Sequence, residues 1–303
     1  MSYAVARVGS HDKPLHFEEP RPVTQSSTGS RTVISYLKWV GGKTRYAATL
    51  CSMFPDDFDR YFEPFVGSGA VYLTLRPELA TLSDANQELV VCHQQVASSP
   101  ESVMTLLDAM PKTKERFHEI RAQDPASLTE TERAARVIYL NKQCFRGLWR
   151  VNRKGQFNVP WGDVPERALY DRDTVLRCSQ LLRQAEIRSM DFEEALAEAG
   201  DRDLVYLDPP YVPLGGWADF KRYTPGQFHE EDHRRLEAAM ASARDRGAHV
   251  VMTNSNTDLV REIWADWHIE RLETVRDISI DSRSRASSDL IISSYDLPRT
   301  RLF

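Results

Sequence analysis

Short runs of β-branched and aromatic residues alternate along this chain with stretches whose apolar positions fall three and four apart. These are the periods of strand and helix. Tyr61 to Val66 reads as a strand that stops at Gly67-Ser68-Gly69, and Ala70 to Leu75 as the helix that follows at once. Thr81 to Asp84 is a second strand, ending on a carboxylate, and Glu88 to Val96 a second helix. Strand, glycine turn, helix, strand and terminal acid open a parallel α/β sheet. The pattern then changes. Residues 101–143 carry Leu, Met, Ile and Val at helical spacing, and 144–165 are loop-like, punctuated by Gly147, Gly155, Pro160, Gly162 and Pro165. From about Glu186 the alternation resumes. Asp203 to Leu207 is a buried strand, His229 to Arg246 a helix and His249 to Thr253 a strand, with further strands at 275–280 and 290–295. The simplest organisation is one α/β domain over 33–94 and 186–303, interrupted by a mostly helical insertion over 95–185. Residues 1–32, polar and rich in Ser, Thr and Pro, read as a flexible arm.

Composition narrows the function. Apolar residues are 41% and charged residues 27%, a globular mix that excludes a disordered, collagenous or coiled-coil chain. Acidic residues outnumber basic ones, 44 to 39, so any nucleic-acid role must rest on a local basic patch. Cys51, Cys92, Cys144 and Cys178 form no CxxC, which argues against a zinc ribbon, a redox motif or a disulfide scaffold and suits free thiols in a cytoplasmic protein. The N-terminal stretch lacks the sustained apolar core of a secretory signal. Nothing approaches the roughly 18 apolar residues of a membrane span. His93, His229, His233 and His268 fit no ligand spacing and are expected at the surface or at helix ends.

Four motifs carry chemistry. Phe65-Val66-Gly67-Ser68-Gly69 stands directly after a strand, where glycines permit a tight turn and let a ligand approach the backbone. Asp84, ending the next strand, suits ribose hydroxyls. Position 72 is Tyr, so this is not the GxGxxG of dinucleotide sites, and alone it equally suits a turn without a ligand. Asp208-Pro209-Pro210-Tyr211 follows the apolar strand. Two prolines cannot continue a sheet and make a rigid bend at its carboxyl end, where open α/β sheets bind ligands. The bend groups a carboxylate, a prolyl carbonyl and an aromatic ring, a set matched to a planar amine. Gly42-Lys43-Thr44 invites a P-loop ATPase reading, but the required glycine at position 37 is Leu. What remains is a glycine turn flanked by two ammonium groups and by Trp39, an indole for a purine or for the core. Finally, Asn141 to Gln156 holds five basic residues and no acid, interleaved with apolar side chains. It offers cations for phosphates, Arg for base edges and a wedge for a vacated base; a solvated basic helix end is the plainer alternative.

Taken together, Lys38-Trp39-Val40-Gly41-Gly42-Lys43, Glu63 to Gly69, Asp84-Ala85-Asn86, Phe157-Asn158-Val159-Pro160 and Asp208 to Tyr211, in that order, resemble the Dam-type (D12 class, α-group) DNA N6-adenine methyltransferases over about residues 36–297. The resemblance implies a Rossmann-like methyltransferase sheet with a helical target-recognition insertion. It implies S-adenosylmethionine as methyl donor and no metal. Trp39 would pack on its adenine, with Gly41, Gly42 and Lys43 along its methionine end. Phe65, Gly67, Ser68 and Gly69 would form the pocket floor, Asp84 would hold the ribose, and Asp191 and Phe192 would lie at the adenine edge. Asp208, Pro209, Pro210 and Tyr211 would form the catalytic bend. Lys38, Phe145, Arg146, Gly147, Leu148, Arg150, Asn152, Arg153 and Asn158 would meet double-stranded DNA. Arg146 stands where the GATC enzymes carry Asn, and Asp163 where they carry a basic residue, which points to a different adenine-containing target. The implied enzyme acts on DNA in a prokaryotic or phage-infected cytoplasm, as a monomer or homodimer, and without a membrane or obligate protein partner. An RNA adenine-N6 methyltransferase and a catalytically silent DNA-binding regulator on the same fold are the rivals.

Overall fold

A computed structural model describes residues 35–213, 226–275 and 286–297. The expected arm at 1–32, the expected strand residues 276–280 and the Arg283-Ser284-Arg285 loop lie outside the described residues. Among the described residues, β1 (Tyr61–Glu63), β2 (Ala80–Asp84), β3 (Ala185–Ser189), β4 (Leu204–Leu207), β5 (His249–Ser255), β6 (His268–Val275) and β7 (Ala286–Ser293) form one sheet in the order β3-β2-β1-β4-β5-β7-β6. β1 pairs in parallel with β2 and β4, β2 with β3, and β4 with β5. β7 lies antiparallel between β5 and β6. The chain therefore runs outward from β1 through β2 to β3, then returns to lay β4 on β1's other side. That reversal is a topological switch point, and such crevices at the carboxyl ends of strands are where α/β sheets take ligands.

The helices are α1 (Ala47–Cys51), α2 (Ala70–Leu75), α3 (Gln87–Ser98), α4 (Pro100–Asp108), α5 (Lys114–Ala122), α6 (Glu130–Gln143), α7 (Arg172–Leu182), α8 (Phe192–Glu198), α9 (Glu230–Asp245) and α10 (Asp258–Ile263). Side-chain caps set several starts. Asn86 accepts from the Leu89 amide at α3, and Thr129 with Glu132 makes a reciprocal capping box at α6. β4 is apolar on both faces: Leu204 and Tyr206 join one buried cluster, Val205 and Leu207 the other. That is the continuous hydrophobic run expected of a strand covered on both sides. The first cluster continues from Leu82 and Leu89 into Val103, Phe117 and Val137, so the helices of the insertion share the core of the sheet.

Several sequence expectations are corrected. β1 ends at Glu63 rather than Val66, because Pro64 brings no N–H to the ladder. Val66 nevertheless donates to the Ser83 carbonyl at 3.0 Å, which keeps the following turn against β2. β6 adds a strand at His268–Val275, of which only residue 275 was expected in a strand; it lies at the sheet edge, where the exposed Glu270 and Arg271 suit an unpaired side. His93 and His233 are not surface residues: both are buried, the second against Phe228 and Trp264.

Candidate active site

The glycine turn sits at the carboxyl end of β1. Gly67 and Gly69 have φ of +48° and +68°, a region that costs most other residues strain. Space also demands glycine at 67, where a Cβ would stand 2.9 Å from the Trp39 ring. The Gly67 N–H donates to Asp84 Oδ2 at 3.3 Å, and the Asn86 N–H to Asp84 Oδ1 at 2.9 Å. Burial outweighs these two bonds, which favour the carboxylate, and pushes the Asp84 carboxyl up to about 6. Glu63, just before the turn, accepts from the Tyr61 hydroxyl at 2.8 Å and the Tyr72 amide at 3.1 Å. Burial outweighs those bonds and raises it to about 8.

Asp208 follows β4, and the pairing of Phe62 with Val205 puts it at the same end of the sheet as the turn. Expected along a cofactor's methionine end, the Lys43 ammonium is found on Asp208, 2.6 Å from each carboxylate oxygen. It also donates to the Gly41 carbonyl at 2.8 Å and lies 4.9 Å from the Tyr211 ring centroid. Burial alone would depress this ammonium, but the Asp208 carboxylate more than offsets it and holds the pKa above the ordinary lysine value. Gly42, whose Cβ would stand 3.4 Å from Ser68 Oγ, places the lysine loop against the glycine turn. The first, second and third motifs thus meet at one point.

The end of β5 completes the site. Thr253 Oγ1 donates to Asp208 Oδ1 at 2.9 Å and lies 3.2 Å from the Tyr206 hydroxyl. Asn254 Oδ1 accepts from the Val212 amide at 3.2 Å, and Ser255 Oγ donates to the Val212 carbonyl at 2.6 Å. These three residues clamp the proline bend from below. In the sequence, Thr253-Asn254-Ser255-Asn256 after a strand suggests only a lining of the target pocket, with no role for any one residue. Across the turn, Phe65 stacks on Phe192 at 5.7 Å, and Phe228 meets both rings. Asp191 caps α8 by accepting from the Glu193 amide and pairs with Arg235 at 3.2 Å.

The basic stretch folds back on itself as a hairpin, with bridges at Cys144–Trp161 and Val151–Phe157. Asn152 Oδ1 accepts from the Lys154 and Gln156 amides and builds the tip, leaving Arg153 and Lys154 exposed. Arg150 Nε donates to Asn158 Oδ1 at 2.7 Å across the hairpin. Trp149 is buried, stacked on Trp39 at 5.7 Å and tilted against Phe157. At the base, Phe145 is 45% exposed and Arg146, at φ +56°, lies 5.2 Å over its ring. Gly147, at φ +68°, carries the Lys38 stem, and Asn141 holds the Lys38 backbone by both N–H and carbonyl. The structure therefore brings Lys38, Trp39 and the hairpin together beside the glycine turn. Asp163 is exposed, on a separate cavity of about 490 Å³ shared with Lys112, Lys114 and Trp161.

The strand order and the proline bend beside a glycine turn are those of an S-adenosylmethionine-dependent methyltransferase. Residues 39–278 match the model of the D12 class N6 adenine-specific DNA methyltransferases, and the chain belongs to that family. It is 35% identical to the Type II methyltransferase M1.LlaDCHI of Lactococcus lactis subsp. cremoris, over 86% of this chain and 95% of that protein. It is 31% identical to the Type II methyltransferase M.MjaIII of Methanocaldococcus jannaschii, over 86% and 98%. The DNA adenine methylase of Haemophilus influenzae is 28% identical over 91% of this chain and 98% of its own length. Membership implies a methyl donor, S-adenosylmethionine, and a DNA substrate. No helix among the described residues is long and apolar enough to cross a membrane.

Proposed function

We propose that this protein methylates N6 of an adenine flipped out of duplex DNA, at a site read by the 141–163 hairpin. The observation that carries this is Asp208, fixed by Thr253 at the sheet's switch point beside the glycine turn. The residues fit the methyl donor. The Ser68 N–H has no hydrogen-bond partner among the described residues and suits a carboxylate. Asp84 ends β2 beside the glycine turn and presents carboxylate oxygens suited to ribose hydroxyls. Trp39, Phe65 and Phe192 offer aromatic surface for an adenine. Gly41, Gly42 and Lys43 border the same space.

When bound, S-adenosylmethionine supplies an electrophilic methyl group. The chain's own residues do the rest. N6 lies within the base stack, so the target adenine must rotate outward, and unstacking costs a few kcal/mol. Phe145, exposed at the hairpin base, fills the vacated space, with Arg146 beside it. In the pocket, Tyr211 stacks on the base. The Asp208 carboxylate and the Pro209 carbonyl accept hydrogen bonds from the two N6 hydrogens, which builds electron density on nitrogen and aims its lone pair; once N6 carries the methyl group, it sheds one proton by way of Asp208 to solvent. Thr253 already occupies Asp208 Oδ1, which leaves Oδ2 for the amine. The Lys43 ammonium stands where the amine would donate, so base entry exchanges one donor for the other. Orientation of this kind accounts for much of the rate in such transfers.

Lys38, Leu148, Arg150 and Asn158 present the base-reading surface, with buried Gly147 beneath the Lys38 stem, and Arg153 with Asn152 the backbone contact. Arg146 and Asp163 direct recognition to a sequence other than GATC. The test is methyl incorporation into duplex DNA and structured RNA, followed by mapping of the modified adenines. N6-methyladenine confined to one short duplex sequence is expected. Incorporation into RNA alone would contradict the proposal, and modification confined to GATC would contradict the recognition assignment.

A further inference from the structure

His93 has no part in the scheme above, yet both of its ring nitrogens are engaged at 1% exposure. Nε2 lies 2.8 Å from the Gly67 carbonyl and Nδ1 2.7 Å from the Tyr36 hydroxyl. A carbonyl only accepts, so Nε2 carries the hydrogen and Nδ1 accepts from Tyr36; one neutral tautomer satisfies both contacts. Burial lowers the pKa of this imidazole to about 4 and keeps it neutral. The ring therefore joins α3 to two loops: Tyr36 precedes the segment that carries Trp39 and Lys43, and Gly67 opens the glycine turn. The Gly67 N–H is already held by Asp84.

A trans peptide points its C=O and the next N–H in opposite directions, and no described peptide bond is cis. With the Gly67 carbonyl anchored on His93, the Ser68 N–H is turned away from the imidazole. It meets no acceptor among the described residues. We propose that His93, itself oriented by Tyr36, is a positioning residue that sets the Gly67–Ser68 peptide so that the Ser68 N–H faces the methyl donor, given that the turn at 67–69 holds that donor.

The test is calorimetric binding of S-adenosylmethionine to the full chain without DNA, together with DNA affinity and melting temperature. His93→Leu weakens cofactor binding about tenfold or more, the worth of one well-placed hydrogen bond, and leaves DNA affinity unchanged. His93→Gln restores binding to within about threefold, because one amide supplies the same donor and acceptor. A folded His93→Leu that binds cofactor like the wild type overturns the inference. If His93→Leu does not fold, Tyr36→Phe decides: weaker cofactor binding at unchanged DNA affinity supports the inference, and unchanged binding overturns it. Asp84→Ala separates the two levels. Loss of binding in Asp84→Ala with retention in His93→Leu overturns this inference alone. Retention in both overturns the placement of the donor site beneath it.

Discussion

Asp208 is held by two donors of different character. Lys43 contributes charge, and Thr253 contributes a directed hydroxyl anchored by Tyr206. Only the hydroxyl stays in place when the adenine amine arrives, so Thr253 decides which carboxylate oxygen faces N6. A hydrogen bond to a charged group is worth about 1.5–3 kcal/mol. Thr253→Val should therefore slow single-turnover methyl transfer by about 10–100-fold while leaving the Kd values for cofactor and DNA near wild type. Thr253→Ser should keep most of the rate. Equal rates in Val and Ser variants would show that the hydroxyl does not orient the acid.

Recognition belongs to the element scale. The hairpin around Val151 and Phe157 is short, but buried Trp149 ties it to Trp39, and so to the glycine turn. Arg150 is braced by Asn158. Asn158→Ala should relax Arg150 and reduce the preference for the mapped sequence by about 1–3 kcal/mol, seen as cognate against non-cognate Kd. Arg153→Ala should weaken both equally and flatten the salt dependence. A variant at Asn158 with full discrimination would remove that brace from the account. Much at this scale was legible in the sequence: the sheet alternation, the glycine turn, the proline bend and the basic loop all stand where periodicity and punctuation put them. Partners across space were not. Nothing local to Lys43 says that its ammonium crosses 165 residues to Asp208, and nothing local to His93 says that a histidine on a helix closes two loops. Edge strand β6 was not legible before residue 275 because Ile269, Leu272 and Val275 fall three apart and show no strand period.

Across the whole molecule, burial of ionisable groups couples the fold to pH. The Glu63 carboxyl is raised by burial to about 8 from an ordinary 4.5. The unfolded chain loses that proton first, so its contribution is full below about 4.5 and is lost as pH rises through 8. His93 and His233 have the opposite sign. Burial lowers both to about 4 from 6.5, so their contribution is present above 6.5 and lost as pH falls through 4. Glu63→Gln should gain stability relative to wild type steadily from about pH 5 to about pH 8 and then level off, as read by melting temperature. A difference independent of pH would show that Glu63 titrates normally. The same molecule must hold donor, base and acid together at the switch point between β1 and β4. Asp208→Ala tests it most directly, with methyl transfer, cofactor binding and DNA binding measured on one preparation. Loss of transfer with both affinities retained is the predicted result; methyl transfer at the wild-type rate would contradict it.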